Sequence, residues 1–242
     1  MSRRLTQGLL CLSLWTLGTL AAYAQPNAAT PALPAREAYL SWTAGQATDI
    51  GKQGRTNGRV GGAFDLRVIH TEHSYNYKLR ATLMTPEVIR AAARLEQLRA
   101  NLTDEQTRSL VAEAEAAAPL VVMVELDARE GSGVIPLDWR ASLQPKGAPP
   151  DGISIGGASQ PALRQLKALH GVARRDYAYD VFWVAFPVAD GQGRPLLTPS
   201  VQALELVVGI YNKAGRVSWP VSETLRQRID TLTGKYSETQ EK

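Results

Sequence analysis

The chain contains 242 residues, of which 44% are apolar and 21% are charged. This composition is typical of a globular protein with a sizeable core, and it excludes a disordered chain, a collagen-like repeat and a polytopic membrane protein. The 27 basic and 23 acidic residues are interspersed along the sequence, whereas nucleic-acid-binding proteins concentrate their basic residues on one face. We therefore expect no nucleic-acid partner.

Residues 1–24 have the three parts of a secretory signal peptide. Arg3 and Arg4 form a positive start, an apolar stretch covers about residues 9–20, and Ala22-Tyr23-Ala24 places small residues before a cleavage site. Cleavage after Ala24 predicts an exported protein, periplasmic or secreted, that retains no membrane span. The alternative is an N-terminal membrane anchor, which would need roughly 20 apolar residues, and the run here is shorter.

Removal of this segment would also remove Cys11, the only cysteine of the chain. The mature protein would then contain no disulfide, no thiolate metal ligand and no cysteine nucleophile. Its formal charge would fall by two from +4, because Arg3 and Arg4 belong to the signal peptide. We predict no cofactor.

Residues 25–62 are predicted to form a flexible N-terminal segment. The first part is rich in alanine and proline, a composition typical of tethers. The second part has glycines at positions 45, 51, 54, 58, 61 and 62 among polar residues, which is typical of a loop.

Three pairs of alternating apolar runs predict antiparallel hairpins. Residues 64–70 can pair with 75–81, residues 122–126 with 135–139, and residues 206–210 with 217–221, so that the apolar side chains of each pair share one face. The last hairpin would turn through residues 212–215, where Asn212 and Gly215 tolerate positive φ. An apolar run within 177–188 predicts a seventh, central strand.

The seven strands predict a mainly β fold, a β-sandwich of immunoglobulin-like type over residues 63–233. The resemblance is one of pattern, since the paired cysteines of antibody domains are missing. A short C-terminal helix is predicted after Ser222 with its end at Gly234, so that residues 234–242 form a polar tail.

A helical hairpin is predicted as an insertion into the sandwich at about residues 85–118. Thr85-Pro86-Glu87 opens its first helix with an N-cap, a proline and an acid, and Thr103 with Gln106 forms a capping-box pattern at the start of the second. The apolar stripes of both helices are too narrow for an independent core. They either dock on the sandwich or present a surface to an envelope or secreted protein partner.

The most specific catalytic motif is Gly152-Ile153-Ser154-Ile155-Gly156, which matches the G-x-S-x-G nucleophile elbow of serine hydrolases. The elbow follows a core strand, whereas the preceding segment here is rich in proline. An α/β-hydrolase also has an acid between serine and histidine, and none lies between Ser154 and His170. A triad in another order, with Asp127 or Asp138, stays open; the alternative is a glycine-rich turn.

His70, Glu72 and His73 form an H-x-E-H cluster. Residues three apart in a strand point to opposite faces, so the two histidines could bind a metal together only if the chain turns between them. The alternative is a solvated turn.

Asp127, Glu130 and Asp138 flank a Gly-Ser-Gly turn. Paired carboxylates at such a turn could perform acid–base chemistry, with solvated turn acids as the alternative. Tryptophans could likewise form a carbohydrate-stacking face or simply pack in the core; they are Trp42, Trp139, Trp183 and Trp219.

Two hypotheses for function follow from these observations. The first is an exported, non-enzymatic binding or envelope-assembly module, which the scarcity of catalytic side chains favours. The second is a secreted hydrolase or carbohydrate-active enzyme that uses Ser154 or the acids Asp127, Glu130 and Asp138. Convergence of those side chains in a concave pocket would favour the enzyme.

Overall fold

The structure, a computed structural model, describes residues 35–61, 77–128, 134–172 and 179–240. Within these ranges the chain is a mixed α/β protein, rich in β-structure, with nine strands in two antiparallel sheets. All the described elements belong to one compact unit. No helix in this part of the chain is both long enough and apolar enough to cross a membrane.

The described residues also form four α-helices and three short 3₁₀ helices. The α-helices are α1 (Ala44–Gln53), α2 (Pro86–Ala100), α3 (Asp104–Ala117) and α4 (Glu223–Gln240). The 3₁₀ helices cover Ala35–Ser41, Pro161–Gln165 and Lys167–Leu169.

Sheet 1 has five strands and sheet 2 has four. In spatial order, sheet 1 contains β1 (Arg55–Val60), β2 (Tyr77–Leu83), β3 (Leu120–Ala128), β7 (Asp180–Phe186) and β6 (Ala158–Ser159). Sheet 2 contains β5 (Ile155–Gly156), β4 (Arg140–Pro145), β8 (Ala203–Ile210) and β9 (Lys213–Pro220). The strand predicted within 177–188 is present as β7, but it is not central, since only the two-residue β6 lies beyond it in sheet 1.

One hydrophobic core joins the two sheets. Leu79 and Val124 of sheet 1 lie in the same buried cluster as Leu206 and Val217 of sheet 2. Because side chains alternate along a strand, every second residue of sheet 1 points away from this core and needs separate cover.

The predicted helical hairpin, α2 with α3, provides that cover. Val88, Ile89 and Val111 pack in a second buried cluster with Met123 and Trp183 of sheet 1. The apolar faces of the hairpin are therefore buried against sheet 1. Of the two alternatives, docking within the chain is the one observed, and these faces are not exposed to an external partner.

Both helix starts of the hairpin are confirmed. The N–H of Val88 donates to the hydroxyl oxygen of Thr85 (3.3 Å), which caps α2. At α3, the N–H of Gln106 donates to the hydroxyl oxygen of Thr103, and the Gln106 side chain accepts from the Thr103 N–H in return. Each cap satisfies backbone donors that a helix leaves without an internal partner.

Two of the predicted strand pairings are wrong. Leu79 of β2 pairs with Gly58 on one side and with Leu126 on the other, so over residues 77–83 no edge of β2 is left for residues 64–70. Similarly, β3 lies between β2 and β7, so it does not pair with residues 135–139. A strand has only two edges, and here more distant segments of the chain occupy both.

The third predicted hairpin is confirmed as β8 and β9, but its register differs. Leu206 pairs with Val217, four residues before the predicted partner, and the turn is Tyr211–Asn212 with Tyr211 at φ 54°. Because the shift is an even number of residues, the same side chains still face the core.

The glycine-rich part of residues 25–62 is not a loop, since α1 and β1 lie within it. Thr43 and Gln46 form a capping box at the start of α1. Gly51 packs against Val172 so closely that a Cβ on it would lie 2.2 Å from a Val172 methyl carbon. This glycine permits close packing instead of flexibility.

Helix α4 also corrects a prediction, because it continues through Gly234 to Gln240 where a polar tail was expected. Gly234 is exposed, and a Cβ on it would meet no atom within 4 Å. Its effect on the helix is thus limited to the intrinsic cost of a helical glycine, about 1 kcal/mol relative to alanine.

Glu96 of α2 links the hairpin to the 3₁₀ helix that begins at Lys167. It accepts hydrogen bonds from Arg99 (2.7 Å) and forms an ion pair with Lys167 (3.1 Å). Burial raises the pKa of Glu96, but the bonds from Arg99 and Lys167 together outweigh burial and hold the pKa below its ordinary value of 4.5.

A pKa that is lower in the folded state gives stability that is present above the unfolded pKa and is lost as the pH falls through the folded pKa. We therefore expect Glu96→Gln to lower the free energy of unfolding at pH 7, with the difference from wild type closing as the pH is lowered. Urea unfolding at a series of pH values measures this difference. Glu113→Gln, which alters an exposed acid of α3, is the control, and an equal effect of both variants would contradict the prediction.

Candidate functional site

Ser154 does not lie in a nucleophile elbow. It is exposed and directly precedes β5, a two-residue strand, and the chain continues into β6 instead of a helix. The elbow requires a strand-to-helix turn, but both sheets of this protein are antiparallel. The alternative interpretation, a glycine-rich turn, fits this position.

Ser154→Ala is accordingly expected to leave the free energy of unfolding within about 0.5 kcal/mol of wild type, the usual range for an exposed site without special contacts. Hydrolysis of p-nitrophenyl acetate, measured on both proteins, should be equal. A loss of turnover in the variant alone would restore the hydrolase hypothesis.

The structure places Asp127 and Asp138 in different settings. Asp127, on β3, is buried, and its carboxylate lies 2.9 Å from the ammonium of Lys78. Asp138 is exposed in the segment before β4. Glu130 lies outside the described residues, as do His70, Glu72 and His73. Within the described residues no group of three His, Cys, Asp or Glu side chains is placed to hold a metal.

Asp127 belongs to a charged cluster on the helix-side face of sheet 1. Glu125, only 2% exposed, lies 3.8 Å from Arg80, and the Arg80 guanidinium stacks 4.4 Å from the ring centre of Tyr179. Burial lowers the pKa of the nearby Arg55, and the positive charge of Arg80 lowers it further. The acids of this cluster are engaged by cations, which is typical of a structural network.

The tryptophans do not form a common platform. Trp183 and Trp219 are buried, and the indole N–H of Trp183 donates to the carbonyl of Leu169 (2.8 Å). Trp42 is half-buried beside Tyr39, with their ring centres 6.4 Å apart. Trp139 and Trp183 both line a large concavity, and of the two only Trp139 is half-buried; this concavity is the strongest candidate site.

This concavity, here called the edge groove, runs along the outer edge of β7 and has a volume of about 680 Å³. Residues 134–137 and Trp139 form one wall, residues 179–183 form the floor, and Ser159 with Arg164 forms the other wall. The edge groove thus lies where the two-residue strand β6 stops covering β7.

The first wall of the edge groove exposes large apolar side chains. Leu137 is fully exposed and Val134 is 87% exposed, the two highest values among the large apolar residues of the described chain. Trp139 packs against Phe182 with 4.9 Å between ring centres, and both are half-buried. Apolar side chains that are gathered at one concave site mark a binding surface more often than isolated ones do.

The floor of the edge groove is a strand edge. The N–H of Met84 donates to the carbonyl of Val121 (2.9 Å), so the odd-numbered residues of β3 bond toward β2 and the even-numbered ones toward β7. Val124 lies opposite Phe182 in the β3–β7 register. The backbone N–H and C=O groups of the even-numbered residues of β7 therefore bond to β3. Those of the odd-numbered residues point toward the edge groove.

A second hydrogen bond confirms this direction, because the N–H of Gln160 donates to the carbonyl of Trp183 (2.8 Å) from the outer side of β7. Pairing stops there, since Pro161 begins a 3₁₀ helix and carries no N–H. Across the described ranges, no hydrogen bond reaches the backbone N–H or C=O of Val181 from this side.

Two charged side chains complete the lining. Arg164 and Asp180 both border the edge groove, and neither forms an ion pair with another described residue. The edge groove therefore combines apolar side chains, one backbone donor–acceptor pair, a cation and an anion. These groups can bury apolar surface and form hydrogen bonds and ion pairs with a ligand.

Sequence reasoning misses the edge groove because the alternation in residues 135–139 predicts a paired strand with Ile135, Leu137 and Trp139 facing inward. Pro136 was the available contrary signal, since proline is disfavoured inside a paired strand. Comparison with known proteins adds no further assignment: no family model, no curated protein and no solved structure matches this chain.

Proposed function

We propose that this protein is an exported, non-enzymatic binding module that holds an envelope or secreted protein partner in its edge groove. The exposed Leu137 and Val134 beside the open edge of β7 are the observation that carries the proposal. The core shared by the two sheets supports a sandwich arrangement as the scaffold, with the immunoglobulin-like type as its finer form.

The settings of the candidate catalytic residues support binding over hydrolysis. Asp127 is engaged by Lys78, and Ser154 precedes a two-residue edge strand. The hairpin α2–α3 buries its apolar faces against sheet 1, so the proposed partner surface is the edge groove instead of the hairpin.

Export is the part of the proposal that rests on residues 1–24 alone. The mature protein should begin at Gln25, because Ala22-Tyr23-Ala24 supplies the small residues that signal peptidase requires. Intact-mass measurement of protein recovered from the periplasm and the medium checks this. Recovery with Met1 still present would contradict cleavage.

The binding function is tested by capture from an envelope extract with the mature chain and two variants. Leu137→Ser removes an apolar side chain from the edge groove, and Leu98→Ser, on α2, removes an exposed leucine elsewhere. Neither side chain is buried, so both variants should keep the wild-type melting temperature.

We expect at least one protein to be retained by wild type and by Leu98→Ser, and to be about tenfold weaker on Leu137→Ser. Burying a leucine contributes about 1.5–3 kcal/mol, and 1.4 kcal/mol corresponds to a factor of ten in affinity. Equal retention of the same proteins by all three forms would rule out the edge groove as the binding surface.

A further inference from the structure

We propose that the edge groove binds an extended peptide segment of a partner protein by strand addition to β7, with backbone hydrogen bonds at Val181. This inference rests on the proposed function, and it specifies the chemical form of the ligand. The occupant is one extended segment with apolar residues on the side that faces Leu137.

The backbone of Val181 supplies the first argument. Its N–H and C=O point to the edge groove, because the even-numbered residues of β7 are the ones bonded to β3. An extended chain presents one C=O and one N–H at the matching spacing, so it satisfies both groups at once. A helix has already used its own backbone groups and cannot do so.

The walls supply the second argument. The segment 134–139 borders one side of β7 and Arg164 borders the other, so the open edge lies at the bottom of a groove. A second copy of this chain would present the same recessed edge, and the walls of the two copies would keep the edges apart. A single extended segment is narrow enough to enter, since neighbouring strands lie about 4.8 Å apart.

Charge supplies the third argument. Arg164 and Asp180 line the edge groove without an ion-pair partner among the described residues. A segment with an acidic residue and a basic residue on either side of its apolar centre complements both. The floor spans residues 179–183, which matches a bound segment of about five residues at one residue per strand position.

The test uses two blocked, fluorescein-labelled heptapeptides as probes, Glu-Thr-Val-Thr-Val-Thr-Lys and its charge-reversed form Lys-Thr-Val-Thr-Val-Thr-Glu. Val181 and Phe182 point to opposite faces of sheet 1, so a probe whose central threonine lies opposite Val181 turns its valines to the side of Phe182 and the 134–139 wall. The two orders cover both directions of the added strand. A third probe carries an N-methyl group on the central amide of the tighter-binding peptide, which removes one backbone donor and leaves the side chains unchanged. Fluorescence anisotropy with the mature wild-type protein measures the affinities.

We expect one charged order to bind more tightly than the other and the N-methylated probe to bind about tenfold more weakly, since a hydrogen bond is worth about that factor. Amide exchange of Val181, followed by NMR, should slow when the tighter probe is added. This measurement needs no variant and therefore does not depend on how a mutant folds.

Val181→Pro is the protein variant that isolates the backbone donor. In the wild type, Val181 lies opposite Glu125, but its N–H makes no hydrogen bond to β3. Proline is tolerated at a strand edge whose N–H faces outward. We expect about tenfold weaker binding of the tighter probe at an unchanged secondary-structure content. Leu137→Ser should weaken the same probe through its side chain, and Leu98→Ser should not.

The outcomes separate this inference from the proposed function. If Leu137→Ser weakens the probes while N-methylation, Val181→Pro and Val181 exchange show no effect, the edge groove binds without strand addition, and the inference is wrong while the function stands. If Leu137→Ser also has no effect, both fail. A dimer in sedimentation that Val181→Pro dissociates would identify a second copy as the occupant and overturn the proposal.

Discussion

Gly215→Ala is expected to lower the free energy of unfolding by about 3 kcal/mol, the upper part of the usual range for overpacking. At Gly215 of β9, a Cβ would lie 2.4 Å from the carbonyl oxygen of Arg59 and 2.8 Å from a methyl carbon of Val60. The oxygen belongs to the backbone of β1, which is held by its ladder to β2 and cannot move alone. The added methyl group must therefore push β1 and β9 apart.

Gly209→Ala is the matched control in the same hairpin. Gly209 lies on β8, and a Cβ there would meet only the carbonyl oxygen of Lys213, at 4.0 Å. Because alanine reduces the conformational entropy of the unfolded chain, this variant should be neutral or up to about 1 kcal/mol more stable. Urea unfolding of the two variants measures the contrast, and equal stabilities would show that β1 and β9 do not make this close contact.

Arg228→Met is also expected to cost about 3 kcal/mol, because the Arg228 guanidinium completes the end of a helix on another part of the chain. From α4, it donates to the carbonyls of Glu115 (2.6 Å), Ala118 (3.2 Å) and Pro119 (3.1 Å) at the end of α3. Burial lowers the pKa of Arg228, while Glu115 opposes this effect. Methionine keeps the apolar stem but leaves those carbonyls without their donor.

Arg216→Met provides the comparison for Arg228→Met. Arg216 forms a 2.6 Å ion pair with Glu205, but the arginine side chain is 57% exposed. Exposed ion pairs contribute up to about 1 kcal/mol, so its loss should be small. A cost for Arg228→Met as small as that for Arg216→Met would mean that water replaces the guanidinium at the end of α3.

Local signals in the sequence predicted local structure well. The starts of α2 and α3 were predictable because Thr85 and Thr103 satisfy backbone donors within the next three residues. The interaction is complete within one turn, so no distant part of the chain can change it.

Pairing between strands was predictable only in part. Alternation showed which side chains of β8 and β9 face the core, since burial on one face is a property of each strand alone. It could not show that β3 prefers β2 and β7, because that choice depends on segments far along the chain. The mixed α/β architecture therefore emerged from a sequence that suggested mainly β structure.

The sequence pattern could predict neither the packing role of the glycines nor the edge groove. The sequence alone does not distinguish a glycine that allows close packing, such as Gly51 against Val172, from a glycine in a loop. The open edge of Val181 arises because β6 is only two residues long, which no periodicity within β7 reveals. Such a site becomes visible only when the neighbouring strand is known.

The contact between β1 and β9 has a consequence for the timing of folding. It joins the first and last strands in the described part of the chain, and α4, which caps α3, comes later still. Contacts between such distant segments form slowly, because the long intervening loop must first be closed. While β9 and α4 are still inside a ribosome or a membrane channel, the chain can form neither the β1–β9 contact nor the α4–α3 contact. Translocation, if the chain is exported as we propose, would thus finish before the fold can close.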